Sequence, residues 1–455
     1  ATRFPLAMAI AATGNTQLAY EAGKASAAEG RAVGVNVDFY PVVDVNNNPR
    51  NPIINIRSFG EDPQKVSEFA RAYIRGVQDA GVLATAKHFP GHGDVASDSH
   101  LEMPVLEVDR QRLNTLELVP FRAAIEEGVG AIMSAHIYLP ALESQRGVPA
   151  TLSGGVLRDL LRKEMGFGGI VFTDAMTMRA ISSNFKEDDA AIRAVEAGAD
   201  IILYPPNVER VFNALKGAVT SGRLSVARLD ESVRRLLEAK SALGLPGRPP
   251  ADLASITRVV GSQSHRDLAQ RINESAITVV RDERNVLPLR MSADQRLLHI
   301  NLLDTRSGWR EGAVGRVLTT EVPKRAPKTT SVQLDDVSTR NEYDLVRRLV
   351  ETADAVLLTA FIRVAPYKGS IDLNREQLSF LRDLSAMKKP FVFVLFGSPY
   401  LLHHLPELPS YLLTYDFNPG AERAVVRAVF GEIPVKGKLP VSLPGLYPIG
   451  HGLER

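Results

Sequence analysis

From residue 87 to residue 100 the chain reads Lys-His-Phe-Pro-Gly-His-Gly-Asp-Val-Ala-Ser-Asp-Ser-His, six ionisable side chains in fourteen positions. Pro90, Gly91 and Gly93 break regular structure, so these polar groups ride on a loop. Asp98 and His100 are two apart, and an extended backbone puts both side chains on one side. A carboxylate beside an imidazole orients the ring and favours its protonated form. Such a pair is a competent general acid near neutral pH, worth about 10² to 10⁴ in rate. A single Asp-x-His is more often just a hydrogen bond within a polar loop. Lys87, His88, His92 and Asp94 in the same loop shift the balance towards chemistry. The cluster also permits a metal reading, with His88, His92, Asp94, Asp98 and His100 as ligands of zinc or another divalent ion. Pro90 and the two glycines, however, forbid the helix that would align His88 with His92.

Asp174 closes the apolar run Gly169-Ile170-Val171-Phe172-Thr173. A carboxylate there costs desolvation, which suggests use as a nucleophile in a cavity, although capping of the next helix would also explain it. Lys87 and His88, at a strand end, suit hydrogen bonds to the hydroxyls of a polar substrate, although a lysine there could equally pair with a neighbouring carboxylate. Arg57 and His136 are candidates for the same cavity, each with a plain alternative as a surface arginine and a buried structural histidine. Asp44 leans towards holding loops together, and Asn46-Asn47-Asn48 reads as a turn.

These residues need a frame. Strand-like runs Val35–Val45, Val82–Phe89, Ala131–Ile137, Gly169–Met176 and Ala199–Tyr204 alternate with helix-like stretches, among them Thr16–Glu29, Pro63–Ala80, Gln111–Glu127, Gly155–Glu164 and Asp188–Ala197. Helices Val208–Ser221 and Ser225–Leu243 follow. Alternation of this kind implies a parallel α/β sheet. Four strands end at Asp44, Lys87-His88, His136 and Asp174, and a (β/α)8 TIM-type barrel would converge such ends on one face. Only five strands are visible, so the barrel is expected to be truncated at its N-terminal side. Residues 1–245 are assigned to it and 246–262 to a linker, announced by Leu245-Pro246-Gly247-Arg248-Pro249-Pro250. Residues 263–455 form a three-layer α/β/α sandwich domain, in which Asp304–Thr339 reads as long loops.

With 54 basic and 52 acidic residues in 455, the net charge of +2 gives no reason to propose nucleic acid as partner. The composition, 45% hydrophobic and 23% charged, is that of a globular chain. No apolar run reaches the roughly 20 residues that span a bilayer. The absence of cysteine excludes disulfides, thiolate nucleophiles and thiolate metal sites. The start, Ala1-Thr2-Arg3-Phe4-Pro5, carries neither an initiator methionine nor a signal-peptide pattern and reads as a processed or truncated end.

The loop Lys87–Asp94 with Asp98-Ser99-His100 closely resembles the signature of family 3 β-N-acetylglucosaminidases. The similarity extends through Asp38–Asp44, Arg57-Ser58-Phe59, Met133–His136 and Phe172–Met176, and to the closing segments Gly437–Val441 and Tyr447–Gly452. The resemblance implies a barrel followed by a sandwich domain and a retaining, double-displacement mechanism without cofactor or metal. It implies Asp174 as nucleophile, His100 as acid/base with Asp98 as its dyad partner, and Arg57, Lys87, His88 and His136 at the terminal N-acetylglucosamine. Substrates in this group are GlcNAc–MurNAc muropeptide fragments of peptidoglycan, which leans the protein towards a bacterial, exported location. Family members carry an Asp-Gln-Glu-Gly-Gly-Arg segment ahead of the Arg3-Phe4-Pro5 region, and this chain begins after it. Two other readings stay open: a phosphorylase, because a neutral histidine does not repel phosphate as a carboxylate would, and a non-catalytic sugar-binding protein. The oligomeric state is left undetermined. The glycine-rich carrier makes placement of His100 over Asp174 conditional on loop closure.

Overall fold

Strands separated by helices have to pair in parallel, because only a long crossover brings the chain back to the same sheet edge. The computed structural model describes residues 1–247, 251–304, 314–362, 364 and 373–455. It shows four such strands in the first half: β1 (Val37–Asp38), β2 (Leu83–Phe89), β3 (Ala131–Ser134) and β4 (Ile170–Phe172), paired in chain order and all parallel. The chain divides into two compact units. Residues 1–2, 16–54 and 58–262 form the first, and residues 3–15, 55–57 and 263–455 the second.

In the first unit the strands are shorter than their apolar runs. Pro41 has no N–H to give, and β1 stops before it, leaving an isolated bridge between Val42 and Lys87. The fifth expected strand, Ala199–Tyr204, is reduced to a bridge between Phe172 and Ile201 ahead of Pro205-Pro206. Among the described residues this pairing does not close into a ring. The sheet is nonetheless strongly curled. The rings of Phe39, just past β1, and Phe172, on β4, meet edge to face with centroids 5.1 Å apart. Three strand spacings in a flat sheet would separate them by about 14 Å. Ala131, Met133, Ile170 and Phe172 fill the concave side, joined by Leu83, Ile201 and Leu203.

Helices flank the sheet. Pro63–Asp79 begins where the Asp62 carboxylate accepts from the amides of Gln64 and Lys65, and it buries Val66, Phe69, Ala70, Tyr73, Ile74 and Val77 on one stripe. It crosses Thr16–Ala32 so closely that a Cβ on Gly76 would lie 2.1 Å from the Tyr20 carbonyl oxygen, which only glycine avoids. The stretch expected as one helix, Gln111–Glu127, is two, Arg110–Thr115 and Val119–Glu126. Pro120 explains the break, since its ring cannot follow a helical turn. The expected linker 246–262 carries a helix, Leu253–Val259, capped by Asp252, while its residues 248–250 lie outside the described residues.

The second unit holds a six-stranded sheet of β5 (Thr278–Asp282), β6 (Arg296–Leu303), β7 (Lys328–Leu334), β8 (Ala355–Ile362), β9 (Phe391–Gly397) and β10 (Ser410–Leu413), in the order β5-β10-β9-β8-β6-β7. Only β5 runs antiparallel to its neighbour. Every residue of β8 and β9 is buried, as a parallel strand covered on both faces requires. One apolar cluster, with Tyr343, Phe380 and Phe393, covers one face; another, with Leu318, Phe396 and Val425, covers the other. The expectation of loops across Asp304–Thr339 is corrected by β7 and the helix Arg316–Glu321. β7 is an edge strand that buries only Leu334, so its Lys-Thr-Thr-Ser-Val-Gln-Leu has no apolar alternation to read. Residues 305–313 of that stretch lie outside the described residues. No helix among the described residues is long and apolar enough to cross a membrane.

The frame behind β4 is held by one carboxylate. Asp200, its side chain fully buried, accepts from the Val171 amide at 2.9 Å, Arg162 at 2.6 Å, Arg235 at 3.0 Å and the Ser232 hydroxyl at 2.6 Å. Arg228 lies 3.7 Å away. Removing it would leave three largely buried guanidinium groups facing one another. Asp200→Ala is therefore expected to destabilise the protein by about 3–5 kcal/mol, read as a lower urea midpoint with circular dichroism. A loss under 1 kcal/mol would show the arginines to be adequately solvated.

Candidate active site

The C-terminal ends of β2, β3 and β4 place the chemistry. Lys87 pairs with Met133, and Met133 pairs with Phe172. Asp174 stands two residues beyond Phe172, so by strand alternation it and Lys87 share a side. The β2–β3 register slips between Lys87 and Phe89. The slip takes His88 out of the ladder and turns it towards the loop that follows β1.

There it meets Asp44, which is fully buried. Asp44 Oδ1 accepts from the His88 amide at 3.1 Å and the His92 amide at 2.7 Å, and Oδ2 lies 2.7 Å from His88 Nδ1. Burial pushes the Asp44 carboxyl up, but the attraction of His88 and these hydrogen bonds outweigh it and hold the group below its ordinary range. Asp44 is thus more than the loop tie that its position after a strand suggested.

The signature loop is pinned along its first half. Asn51 Nδ2 donates to the carbonyls of His92 and Gly93 at 2.8 and 3.0 Å, and Asn48 Nδ2 to that of Asp94 at 2.9 Å. Asn48 is therefore not only a turn residue. A Cβ on Gly93 would lie 1.8 Å from the Val45 carbonyl oxygen, so the loop passes here only as glycine. Arg112 reaches Asp94 at 2.8 Å and the buried Glu117 at 3.1 Å. His92 Nε2 lies 3.0 Å from Ser99 Oγ, and burial pushes the His92 ring down to about 4, so it is neutral at working pH.

The second half carries Asp98 and His100. They meet through a turn, not the extended backbone expected from their spacing. Asp98 Oδ1 accepts from the His100 amide at 2.9 Å and lies 2.8 Å from its Nδ1, while the Asp98 carbonyl accepts from Leu101 and Glu102. A carboxylate only accepts, so the proton on that side of the ring is on Nδ1, and Nε2 is left for exchange. The Asp98 side chain is buried, and that of His100 is 21% exposed. The Ser99 carbonyl accepts from the Ala180 amide, tying this turn to the segment after Asp174.

Asp174 is half-buried and accepts from the Ala175 amide at 2.7 Å. Burial raises its carboxyl, but the attraction of His88, then of His136, the Ala175 bond and Lys87 together hold it below its ordinary range. His136 is buried, with Nδ1 2.8 Å from Thr151 Oγ1 and Nε2 3.1 Å from the Ala175 carbonyl. A carbonyl cannot donate, so Nε2 carries a proton, while Thr151 Oγ1 on the other side of the ring also donates to the Ala135 carbonyl at 3.0 Å. Burial pushes His136 down, although Asp174 pulls the other way and His88 and His100 add to the push. Lys87, His88 and His136 thus gather around Asp174, and His100 is near enough to His136 to repel its charge. Arg57 ends the short helix Asn55–Arg57, grouped with the second unit.

The donors of the metal reading are directed to separate partners, His88 to Asp44, His92 to Ser99, Asp94 to Arg112 and His100 to Asp98. Among the described residues no three such groups converge on one point. Asn51, Ser99, Arg112, Glu117 and Thr151 were not singled out from sequence. They are short polar or surface-type residues, and spacing alone does not name their partners.

Residues 1–239 match the Glycosyl hydrolase family 3 N terminal domain. A β-N-acetylglucosaminidase/β-glucosidase of Cellulomonas fimi is 30% identical over 96% of this chain and 79% of its own length. Among solved structures, a family 3 β-N-acetylglucosaminidase from Paenibacillus sp. str. FPU-7 superposes with a TM-score of 0.86 at 34% identity, covering 97% of this chain and 83% of that one. The β-glucoside phosphorylase BglX superposes with a TM-score of 0.88 at 28% identity, covering 97% and 81%. The chain is therefore a glycosidase belonging to glycosyl hydrolase family 3.

Proposed function

We propose that this chain is a retaining exo-β-N-acetylglucosaminidase that removes terminal GlcNAc from peptidoglycan-derived GlcNAc–MurNAc fragments by double displacement. The observation that carries the reading is the place of Asp174 at the end of β4, its carboxyl held below the ordinary range by His88, His136 and Lys87, with the Asp98–His100 pair on the adjoining loop. In the first step a carboxylate oxygen of Asp174 attacks the anomeric carbon. The bond to the aglycone oxygen breaks, and His100 gives that oxygen its Nε2 proton. In the second step His100 takes a proton from water, the hydroxide oxygen bonds to the anomeric carbon, and the ester to Asp174 breaks. Two inversions leave the β configuration. Asp98 positions the ring throughout by holding Nδ1. Lys87, His88 and His136, with Arg57, are assigned to the sugar's hydroxyls. The curled four-stranded sheet supports reading residues 1–245 as part of a TIM-type barrel, and the two-faced sheet of residues 263–455 as a sandwich domain.

A second reading has its own support. A carboxylate acid/base would repel an anionic acceptor by about 4 kcal/mol at 4 Å and an effective dielectric of 20; a neutral imidazole does not. The similarity to a β-glucoside phosphorylase points the same way. The two differ in acceptor, phosphate or water.

Asp174→Asn is expected to lower turnover of every substrate by at least about 10⁴-fold, and a 5-fluoro N-acetylglucosaminyl fluoride should label Asp174 in the wild type, read by peptide mass spectrometry. Labelling elsewhere would remove Asp174 from its role. His100→Ala should cost about 10² to 10⁴ in kcat on saccharides with poor leaving groups and far less on activated aryl glycosides, with Asp98→Ala a milder version. Equal losses on both kinds would count against His100 as acid. Hydrolysis releases GlcNAc independently of phosphate. A phosphate-dependent rise in turnover with GlcNAc-1-phosphate as product, followed by NMR, would replace the hydrolase by the phosphorylase.

A further inference from the structure

We propose that Asp44 is a positioning residue for catalysis, which grips His88 by backbone and ring and so fixes it as a cation beside the nucleophile. The inference rests on the reading of Asp174 as nucleophile. Asp44 has no exposed surface, and an ionised carboxylate in such a place survives only with donors around it. It has three, two of them from His88. Because a carboxylate only accepts, the His88 proton on that side sits on Nδ1, which leaves Nε2 as the ring's other polar atom.

The charged and titratable groups around His88 come from four places. Asp44 lies on the loop after β1, and Lys87 and His92 on His88's own segment, with the His92 ring 6.0 Å away. His136 comes from the end of β3 and Asp174 from the end of β4. Asp44 and Asp174 are the anions of this set, and His88, as the proposed cation, attracts both. Of the attractions that keep Asp174 ionised, that of His88 is the largest. The influence of Asp44 on Asp174 therefore passes through one imidazole.

The plain alternative is that Asp44 only ties loops, through the His92 amide and through its own carbonyl, which accepts from Ser58 Oγ at 2.6 Å. Asp44→Asn separates the two. Asparagine keeps the shape and one acceptor oxygen for the amides, but it places an NH2 where Oδ2 faced the ring. Nδ1 must then accept, and the imidazolium is no longer favoured. The sign follows. With less positive charge on His88, the Asp174 carboxyl holds its proton to higher pH, so the acidic limb of the kcat/KM profile moves up.

The experiment compares pH profiles of kcat/KM on an aryl β-N-acetylglucosaminide for the wild type, Asp44→Asn, His88→Gln and the double variant. The expected result is an acidic limb raised by about one pH unit in Asp44→Asn, with kcat down about 10²-fold. Adding Asp44→Asn to His88→Gln should change neither further. An unmoved limb, or a double variant well below His88→Gln, overturns the proposal. Should the asparagine variant fail to fold, ¹⁵N-histidine NMR of the wild type decides: His88, assigned by comparison with His88→Gln, must carry protons on both Nδ1 and Nε2 at neutral pH, and a neutral ring overturns the proposal. Fluoro-sugar labelling of the wild type keeps the two failures apart. Label on Asp174 with an unmoved limb removes only the role of Asp44, whereas an unlabelled Asp174 removes the nucleophile reading and this proposal with it.

Discussion

A carboxylate withdrawn from water must be surrounded by donors, and in the first unit two such groups organise what lies around the strand ends. Asp200 gathers three guanidinium groups, a serine hydroxyl and the Val171 amide, and so joins β4 to the helices Gly155–Glu164 and Val226–Ala242. Asp44 gathers two amides and an imidazole, and so joins the loop after β1 to the loop after β2. Neither group could be replaced by an apolar residue of similar size without leaving donors stranded. The penalty for an unpaired buried charge is several kcal/mol, larger than any single contact it would be exchanged for. The positions of the loop after β2 and of β4 are therefore set by charge as much as by the apolar core beneath them.

The same accounting explains the balance at Asp174. Its carboxyl is poorly solvated, which by itself favours the protonated acid. It is held ionised because Lys87, His88 and His136 surround it and the Ala175 amide donates to it. His136 adds a mechanical link. Its ring lies between Thr151 and the Ala175 carbonyl, so the residue whose N–H holds Asp174 is itself held through its C=O. The chain Thr151, His136, Ala175, Asp174 crosses from the segment after β3 to the end of β4 without any backbone pairing.

Much of this was legible in the sequence, and the rest was hidden for identifiable reasons. The apolar run Val82–Phe89 announced β2 within one residue, because a buried parallel strand is nearly continuous in apolar side chains. Asp98 and His100 declared their partnership by proximity along the chain, although the backbone joining them is a turn. Asp44 and His88 are 44 positions apart, and nothing local says that a register slip in β2 turns one towards the other. β7 was invisible because an edge strand with one buried residue has no pattern to betray it. The helix break at Pro120 was readable but was outweighed by the apolar periodicity on either side of it.

The loop between Lys87 and His100 sharpens that distinction between pattern and partner. Its two glycines and proline suggest a mobile segment that must close before His100 can act. Side-chain bonds tie down its first half. Asn48, Asn51, Asp44 and Arg112 hold residues 88–94, and the His92–Ser99 and Ala180–Ser99 bonds carry the restraint on to the Asp98–His100 turn. Each of these bonds contributes only about 0.5–1.5 kcal/mol net. Their value is geometric, because they act on consecutive residues of one short segment and leave it little freedom. Gly93 has a second reason to be glycine. It is required because the loop runs hard against the Val45 carbonyl, and a residue chosen for close approach marks a place where the chain is closely packed.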